Sequence, residues 1–304
     1  MPVVDLAELV ESATRLLPDA NGRELQYVRP LKGFGVLRQP RPTALEAAIY
    51  EPAVVFVLQG RKETVLGVDA YAMRAGQCLL VSHDLPVIAR IVQAPYLALV
   101  VDIDLDMLRD LHETMAETRA PLAPSRALAV HAFDARLADA LLRLLDAASS
   151  TTEAAVLAPL ISREIHYRLA TVPFGGMLRE LMRRDSHASA IARAIARLRR
   201  DFRSPVEIPE LACSVGMSAS SFHKHFKAIA ACSPLQYRKG LQLLEARRRL
   251  RAGAVAVSAA AFDVGYESAA QFSRDYARRF GAPPKSDLAA LTRDRSTDPA
   301  RSPA

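Results

Sequence analysis

Tryptophan is absent from the 304 residues, and cysteine is scarce, at Cys78, Cys213 and Cys232 only. Three scattered thiols cannot build a disulfide framework or a four-ligand zinc site. This usage fits a reduced, cytoplasmic chain. No apolar run reaches the roughly 18 residues of a membrane span, and the N-terminus lacks a basic region followed by an apolar core, so neither a span nor a signal peptide is expected. Nucleophile–base pairs, glycine-rich phosphate loops and paired carboxylates in recognisable motifs are missing too. That argues against an enzyme and calls for no cofactor. His83 has Asp84 beside it but no second histidine before His112, too sparse a set for a metal-dependent oxygenase.

What is present is a chain that is 50% hydrophobic and long enough for two domains with cores of their own. Charge is segregated. Residues 187–287 hold 17 Lys and Arg against 8 Asp and Glu, whereas residues 1–186 hold 20 against 23. A basic excess confined to one segment is the footprint of a part that meets phosphates.

That basic segment repeats one supersecondary unit. Ile208 to Lys227 reads as a short apolar helix, a turn at Gly216, and a second helix that Ser218 can cap. Val257 to Phe280 repeats the pattern. Leu211, Ala212, Val215 and Gly216 answer to Ala260, Ala261, Val264 and Gly265, and Phe222 and Phe226 answer to Phe272 and Tyr276 once the second turn is allowed one extra residue. The exits match as well, Ser233-Pro234 against Pro283-Pro284. Between the two helix-turn-helix units, Pro234 to Arg251 carries a helical stripe of Leu235, Leu241, Leu244 and Leu250. A helix of about 17 residues spans on the order of 25 Å, enough to hold two reading helices near one DNA turn apart, roughly 34 Å.

Each second helix has two faces. In the first, Phe222 and Phe226 turn to the core while Ser220, His223, Lys224 and Lys227 share a polar, cationic face. In the second, Phe272, Tyr276 and Phe280 bury, leaving Ala269, Ala270, Ser273, Arg274 and Ala277 outward. Small side chains let a helix approach a groove closely, and an arginine with two parallel donors reads guanine O6 and N7. Ser220, His223, Lys224, Ala270, Ser273 and Arg274 are therefore the candidates for base contacts, and Lys227, Arg278 and Arg279 for phosphates. A salt bridge from Arg274 to Asp275 or Glu267 is the competing reading. A metal at His223-Lys224-His225 is unfavourable, since consecutive helical residues point about 100° apart.

Residues 1–22 carry an amphipathic helical pattern ending at Pro18-Asp19-Ala20-Asn21-Gly22. The period then changes. Short runs at Gly33–Val36, Ala53–Leu58, Glu63–Leu66, Cys78–Ser82, Ala89–Val92 and Leu97–Ile103, with hairpin turns at Gly60-Arg61 and Gly67-Val68-Asp69, predict an antiparallel barrel or sandwich. Phe34, Tyr50, Phe56, Tyr71 and His83 are candidates to line a ligand pocket, against the plainer reading that such aromatics are core. Helical periodicity returns at Leu105–Glu117, Asp134–Ala147 and Glu153–Ala170. His187 to Phe202 is a basic helix leading into the first repeat.

Gly265-Tyr266-Glu267-Ser268-Ala269-Ala270-Gln271-Phe272-Ser273-Arg274, followed by Phe280-Gly281-Ala282-Pro283-Pro284, resembles the signature of AraC/XylS-type transcriptional regulators. Tyr50-Glu51-Pro52-Ala53-Val54-Val55-Phe56-Val57-Leu58-Gln59-Gly60-Arg61-Lys62, with Leu85-Pro86-Val87 and Ala94-Pro95-Tyr96-Leu97-Ala98-Leu99, is similar to the N-terminal sensory domain of one branch of that family. The resemblance implies an α+β chain: a cupin-like antiparallel β-barrel with flanking helices over 1–184 that binds an effector or dimerises, an all-α domain of seven helices with two helix-turn-helix units over 185–290, and a disordered tail over 291–304. It matches Arg274 to a groove-facing arginine. It implies promoter DNA, RNA polymerase, a small-molecule effector and a second copy of the chain as partners, and an activator as the role. Two other classes stand behind it. One is an architectural DNA-binding protein without an effector; the other is an alkyl-transfer repair enzyme with a similar DNA-binding half, which needs a cysteine in a Pro-Cys-His-Arg context that this chain lacks.

Overall fold

The computed structural model describes residues 5–19, 25–114, 126–253 and 255–289. The expected tail over 291–304, residues 115–117 of a predicted helix and most of the turn after residue 19 lie outside them. Two compact units are present, one of residues 1–193 with 224–231, the other of residues 194–223 with 232–304.

In the first unit, α1 (Leu6–Arg15) starts at Asp5, whose side chain accepts from the Ala7 amide at 2.9 Å, the usual way of satisfying a free helix-end donor. Eight strands follow: β1 (Gln26–Leu31), β2 (Phe34–Gln39), β3 (Glu46–Tyr50), β4 (Ala53–Leu66), β5 (Asp69–Arg74), β6 (Gln77–Val81), β7 (Leu85–Asp102) and β8 (Leu128–Ala132). All pairings are antiparallel, in the order β1-β2-β7-β4-β6-β8, with β3 on β7 and β5 on β4.

The long strands β4 and β7 run through both halves of the sheet. Their outer halves lie between β2 and β6, and their inner halves between β3 and β5. The expected closed barrel is corrected here: the pairings among the described residues leave the sheet open. So is the expected hairpin at Gly60-Arg61. β4 continues through it, and the register against β7 shifts between Val57 and Lys62. Gly60 sits at φ +77°, where a Cβ would stand 2.5 Å from the Gln93 carbonyl oxygen and 2.6 Å from that of Pro95. A bulge of this kind breaks the two-residue alternation and bends the strand, so one strand reads as two. The turn at Gly67 is a true hairpin, with Leu66 opposite Asp69.

Helices cover one face of the sheet. α2 (Leu105–Thr114) lies between β7 and β8 in the chain, and α3 (Ala135–Ala148), α4 (Thr151–Thr171) and α5 (Gly176–Met182) follow β8. Phe34, Phe56, Leu99 and Val101 from the sheet share a core with Leu141, Leu144, Ile165 and Leu169 from α3 and α4. Burial of this apolar surface, at about 25 cal/mol per Å², is what fastens the helices to the sheet. The predicted stripe of α4 is divided: Ile161 and Ile165 are buried, whereas Val156, Leu157, Leu160 and Tyr167 are exposed.

The rest of the chain is helical, with α6 (His187–Arg200), α7 (Ile208–Ser214), α8 (Ala219–Ala230), α9 (Pro234–Arg251), α10 (Val257–Asp263), α11 (Ala269–Phe280) and the helical residues 284–289. α9 opens with a capping box between Ser233 and Gln236, which satisfies two end donors at once. Leu243, Ala246 and Leu250 of α9 pack with Ala260, Ala261, Val264, Phe272 and Tyr276. Arg247 holds Asp287 through two hydrogen bonds of 2.9 Å, and the Tyr276 hydroxyl donates to the same carboxylate at 2.7 Å.

Candidate nucleic-acid interface

Both repeats fold into helix, turn and helix, and their turns share one backbone frame. In the first, the Met217 amide donates to the Ala212 carbonyl at 3.0 Å; in the second, Tyr266 donates to Ala261 at 3.0 Å. The glycine before each donor has positive φ, +76° at Gly216 and +88° at Gly265, and a Cβ on Gly265 would meet the Arg203 carbonyl oxygen at 2.2 Å. That conformation costs glycine nothing and other residues a good deal. Ser218 accepts from the Ser221 amide at 3.3 Å, and Ser268 from the Gln271 amide at 3.3 Å. The second turn holds the one extra residue between glycine and cap, as the pattern requires.

The faces divide as helical spacing dictates. Phe222 and Phe226, and likewise Phe272 and Tyr276, are fully buried. On α8, Ser220, His223, Lys224 and Lys227 are all exposed. On α11, Ala270 and Arg274 are exposed, and Ser273 is partly buried, donating to the Ala269 carbonyl at 2.9 Å. Asp275 is engaged elsewhere, by Lys239 at 3.1 Å, by Arg278 at 3.5 Å and by the Tyr266 hydroxyl at 3.3 Å. Among the described residues no ion pair joins Arg274 to Asp275 or to Glu267, the two neighbours that competed for it. Of the phosphate candidates, Lys227 and Arg278 are exposed, whereas Arg279 is partly buried, with Nε and Nη2 enclosed and without partners. Burial lowers the pKa of its guanidinium from the ordinary arginine value.

The five pocket candidates do not converge. Phe34 and Phe56 lie on the helix-covered face. Tyr50 and Tyr71 meet β4 on the other face, where the Tyr50 hydroxyl lies 3.3 Å from Thr64 Oγ1 and Tyr71 stands opposite Thr64 in register. His83 is buried, its Nδ1 2.8 Å from Ser82 Oγ and its Nε2 3.1 Å from the Ala188 carbonyl oxygen. Burial pushes this imidazole down to about 4, so it is neutral at physiological pH. Burial also pushes the Cys78 thiol up to about 12 and Cys232 to about 11; Cys213 is exposed.

The sequence reading passed over two residues beside Tyr50. Lys62 Nζ lies 5.0 Å from the centre of the Tyr50 ring and 5.9 Å from that of Tyr96, and Tyr96 is fully buried. Their signal was the side of β4 and β7 on which they fall, and the bulge hides it.

Comparison with known proteins adds the family. Residues 30–177 match the model of the AraC-type transcriptional regulator N-terminus, and residues 211–289 that of a helix-turn-helix domain. The HTH-type transcriptional regulator GbdR of Pseudomonas aeruginosa is 29% identical over 93 residues, 31% of this chain and 25% of that protein. A putative AraC-like transcription regulator of Streptomyces lividans is 29% identical over 136 residues, 41% of this chain and 45% of that one. The chain therefore spans between a quarter and a half of the length of these curated relatives. In fold it is similar to ToxT of Vibrio cholerae strain SCE256 with bound unsaturated fatty acid, at TM-score 0.56 and 10% identity over 88% of this chain and 96% of that one. ToxT of Vibrio cholerae O395 aligns at TM-score 0.51 and 11% identity over 86% and 99%. With an AraC-type N-terminal model on its first half and a helix-turn-helix model on its last third, the chain belongs to the AraC family of transcriptional regulators.

Proposed function

We propose that this protein is a sequence-specific DNA-binding transcription regulator in which residues 185–290 grip double-stranded promoter DNA and residues 1–184 answer to a small-molecule effector. The observation that carries the reading is the duplicated helix-turn-helix with two exposed faces of different chemistry, on the basic part of the chain. Each second helix enters a major groove. Ser220, His223 and Lys224 read bases from one helix, and Ala270, Ser273 and Arg274 from the other. Lys227, Arg278 and Arg279 hold phosphates without specifying sequence.

The effector half of the reading is supported by the AraC-type match and by the fatty acid in the ToxT structure of similar fold. Control of this kind requires that the effector bind two states with different affinity. A homodimer is supported by α4, where Val156 is 60%, Leu160 63% and Tyr167 46% exposed, an apolar face that a second copy would cover. RNA polymerase is the downstream partner that the family resemblance implies.

The test is selection of DNA from a random-sequence pool by the full chain at physiological salt, with the bound fragments sequenced. The expected result is one recurrent motif that binds at least about a thousandfold tighter than bulk DNA. A bound pool with no recurrent motif would overturn the reading in favour of an architectural DNA-binding protein.

A further inference from the structure

The sheet face away from the helices holds a positive charge, Lys62, that has no carboxylate partner among the described residues. Lys62 projects to this face from the inner half of β4, beside Thr64, while Glu63 between them turns to the opposite face and pairs with Arg90 at 2.7 Å and Arg61 at 3.7 Å. Among the described residues no carboxylate pairs with Lys62. Its neighbours are the rings of Tyr50 and Tyr96 at 5.0 and 5.9 Å, within the range of cation–π attraction. Burial works against its charge, and the two tyrosines still hold it above the usual lysine range.

Beside it, the hydroxyl of the fully buried Tyr96 has no hydrogen-bond partner. Buried polar groups are nearly always paired, and this buried hydroxyl beside an enclosed ammonium offers two donors to one acceptor. The residues facing Lys62 across the ladder, Met73 on β5 and Ile91 on β7, are buried and apolar.

We propose that this face binds a small organic monocarboxylate, with Lys62 Nζ and the Tyr96 hydroxyl donating to the carboxylate and the apolar residues taking its carbon body. One positive charge with neutral hydroxyl donors matches a monoanion. A phosphate dianion would call for more positive charge. The inference rests on the proposed effector role and names the ligand class for it.

The experiment uses the full-length protein and its Lys62→Met and Tyr96→Phe variants. Each is titrated with butanoate, hexanoate, benzoate and phenylacetate, with the matching neutral amides, and with inorganic phosphate, at constant ionic strength. Calorimetric titration reads the affinity, and the thermal midpoint provides a second readout. At least one carboxylate should bind about tenfold or more tightly than its amide and than phosphate, and Lys62→Met should lose about tenfold or more of that affinity. Tyr96→Phe, which keeps the ring, should lose less while leaving the unliganded midpoint nearly unchanged. Equal binding of acids and amides, or an unchanged affinity in folded Lys62→Met, overturns the proposal, as does preferred binding of phosphate. The same carboxylate is then added to the protein on its selected DNA fragment. Binding through Lys62 with no change in DNA affinity would keep the site and sink effector control; DNA affinity that responds to a carboxylate equally in Lys62→Met would keep effector control and sink the site.

Discussion

Arg274 and Lys227 are both exposed cations on second helices, yet they should fail differently. Arg274→Ala should cost about 1–3 kcal/mol on the selected site and relax preference at one base position; equal losses on selected and random DNA in a fluorescence titration would remove it from base reading. Lys227→Ala should weaken binding to all sequences alike and reduce the slope of log K against log salt by about one. His83 gives a stability prediction. Its folded-state pKa of about 4 lies below the ordinary value of about 6.5, so on acidification the unfolded chain takes the proton first. Stability is retained above pH 6.5 and falls by up to about 3 kcal/mol as pH drops to 4. Urea midpoints measured across that range should fall, and more shallowly in His83→Gln. Sequence reasoning found the exposed residues of the second helices because helical spacing is regular. It missed Lys62 and Tyr96 because the parity that sorts the two faces of a strand is lost at Gly60, and it grouped Phe34 with Tyr50 although they occupy opposite faces.

The helix-turn-helix units were legible because each signal is local: a glycine where φ must be positive, a serine three residues before a free amide, aromatics four apart. What no local signal carries is contact between distant segments. The Arg247–Asp287–Tyr276 cluster joins α9, α11 and residues 284–289, and nothing in the spacing of those three residues announces it. Asp287→Asn should lower stability by about 1–3 kcal/mol, because it leaves a largely buried guanidinium without its counter-charge; calorimetry at pH 7 reads this as a lower Tm, and an unchanged Tm would make the cluster a bystander. The sheet was legible in kind and not in connection. Two long bent strands appeared as four short ones, and a barrel was expected from short strands with hairpin turns and from the family resemblance, whereas among the described residues the ladder stays open at β1 and β8. In α4 the helical spacing was legible, and only packing shows that Ile161 and Ile165 turn inward while Leu160 does not.

At the scale of the whole molecule, charge and apolar surface assign separate tasks to the two ends of the chain. The basic excess lies in residues 187–287, and the largest exposed apolar side chains of the first unit's helices lie on α4. If α4 joins two copies, Leu160→Glu should shift the protein from dimer to monomer in sedimentation velocity without lowering its thermal midpoint, since Leu160 is already exposed; an unchanged mass would move the dimer contact elsewhere.

The two helix-turn-helix units share a turn geometry, and their second helices differ in nearly every outward side chain, with histidine and lysine on one and alanine, serine and arginine on the other. A stretch of DNA recognised by such an unlike pair has a left and a right end. If both helices read bases as proposed, the target of one chain is directional rather than palindromic, and reversing it within a promoter should point the bound protein the other way along the gene. Orientation joins sequence and distance as something the control region must specify.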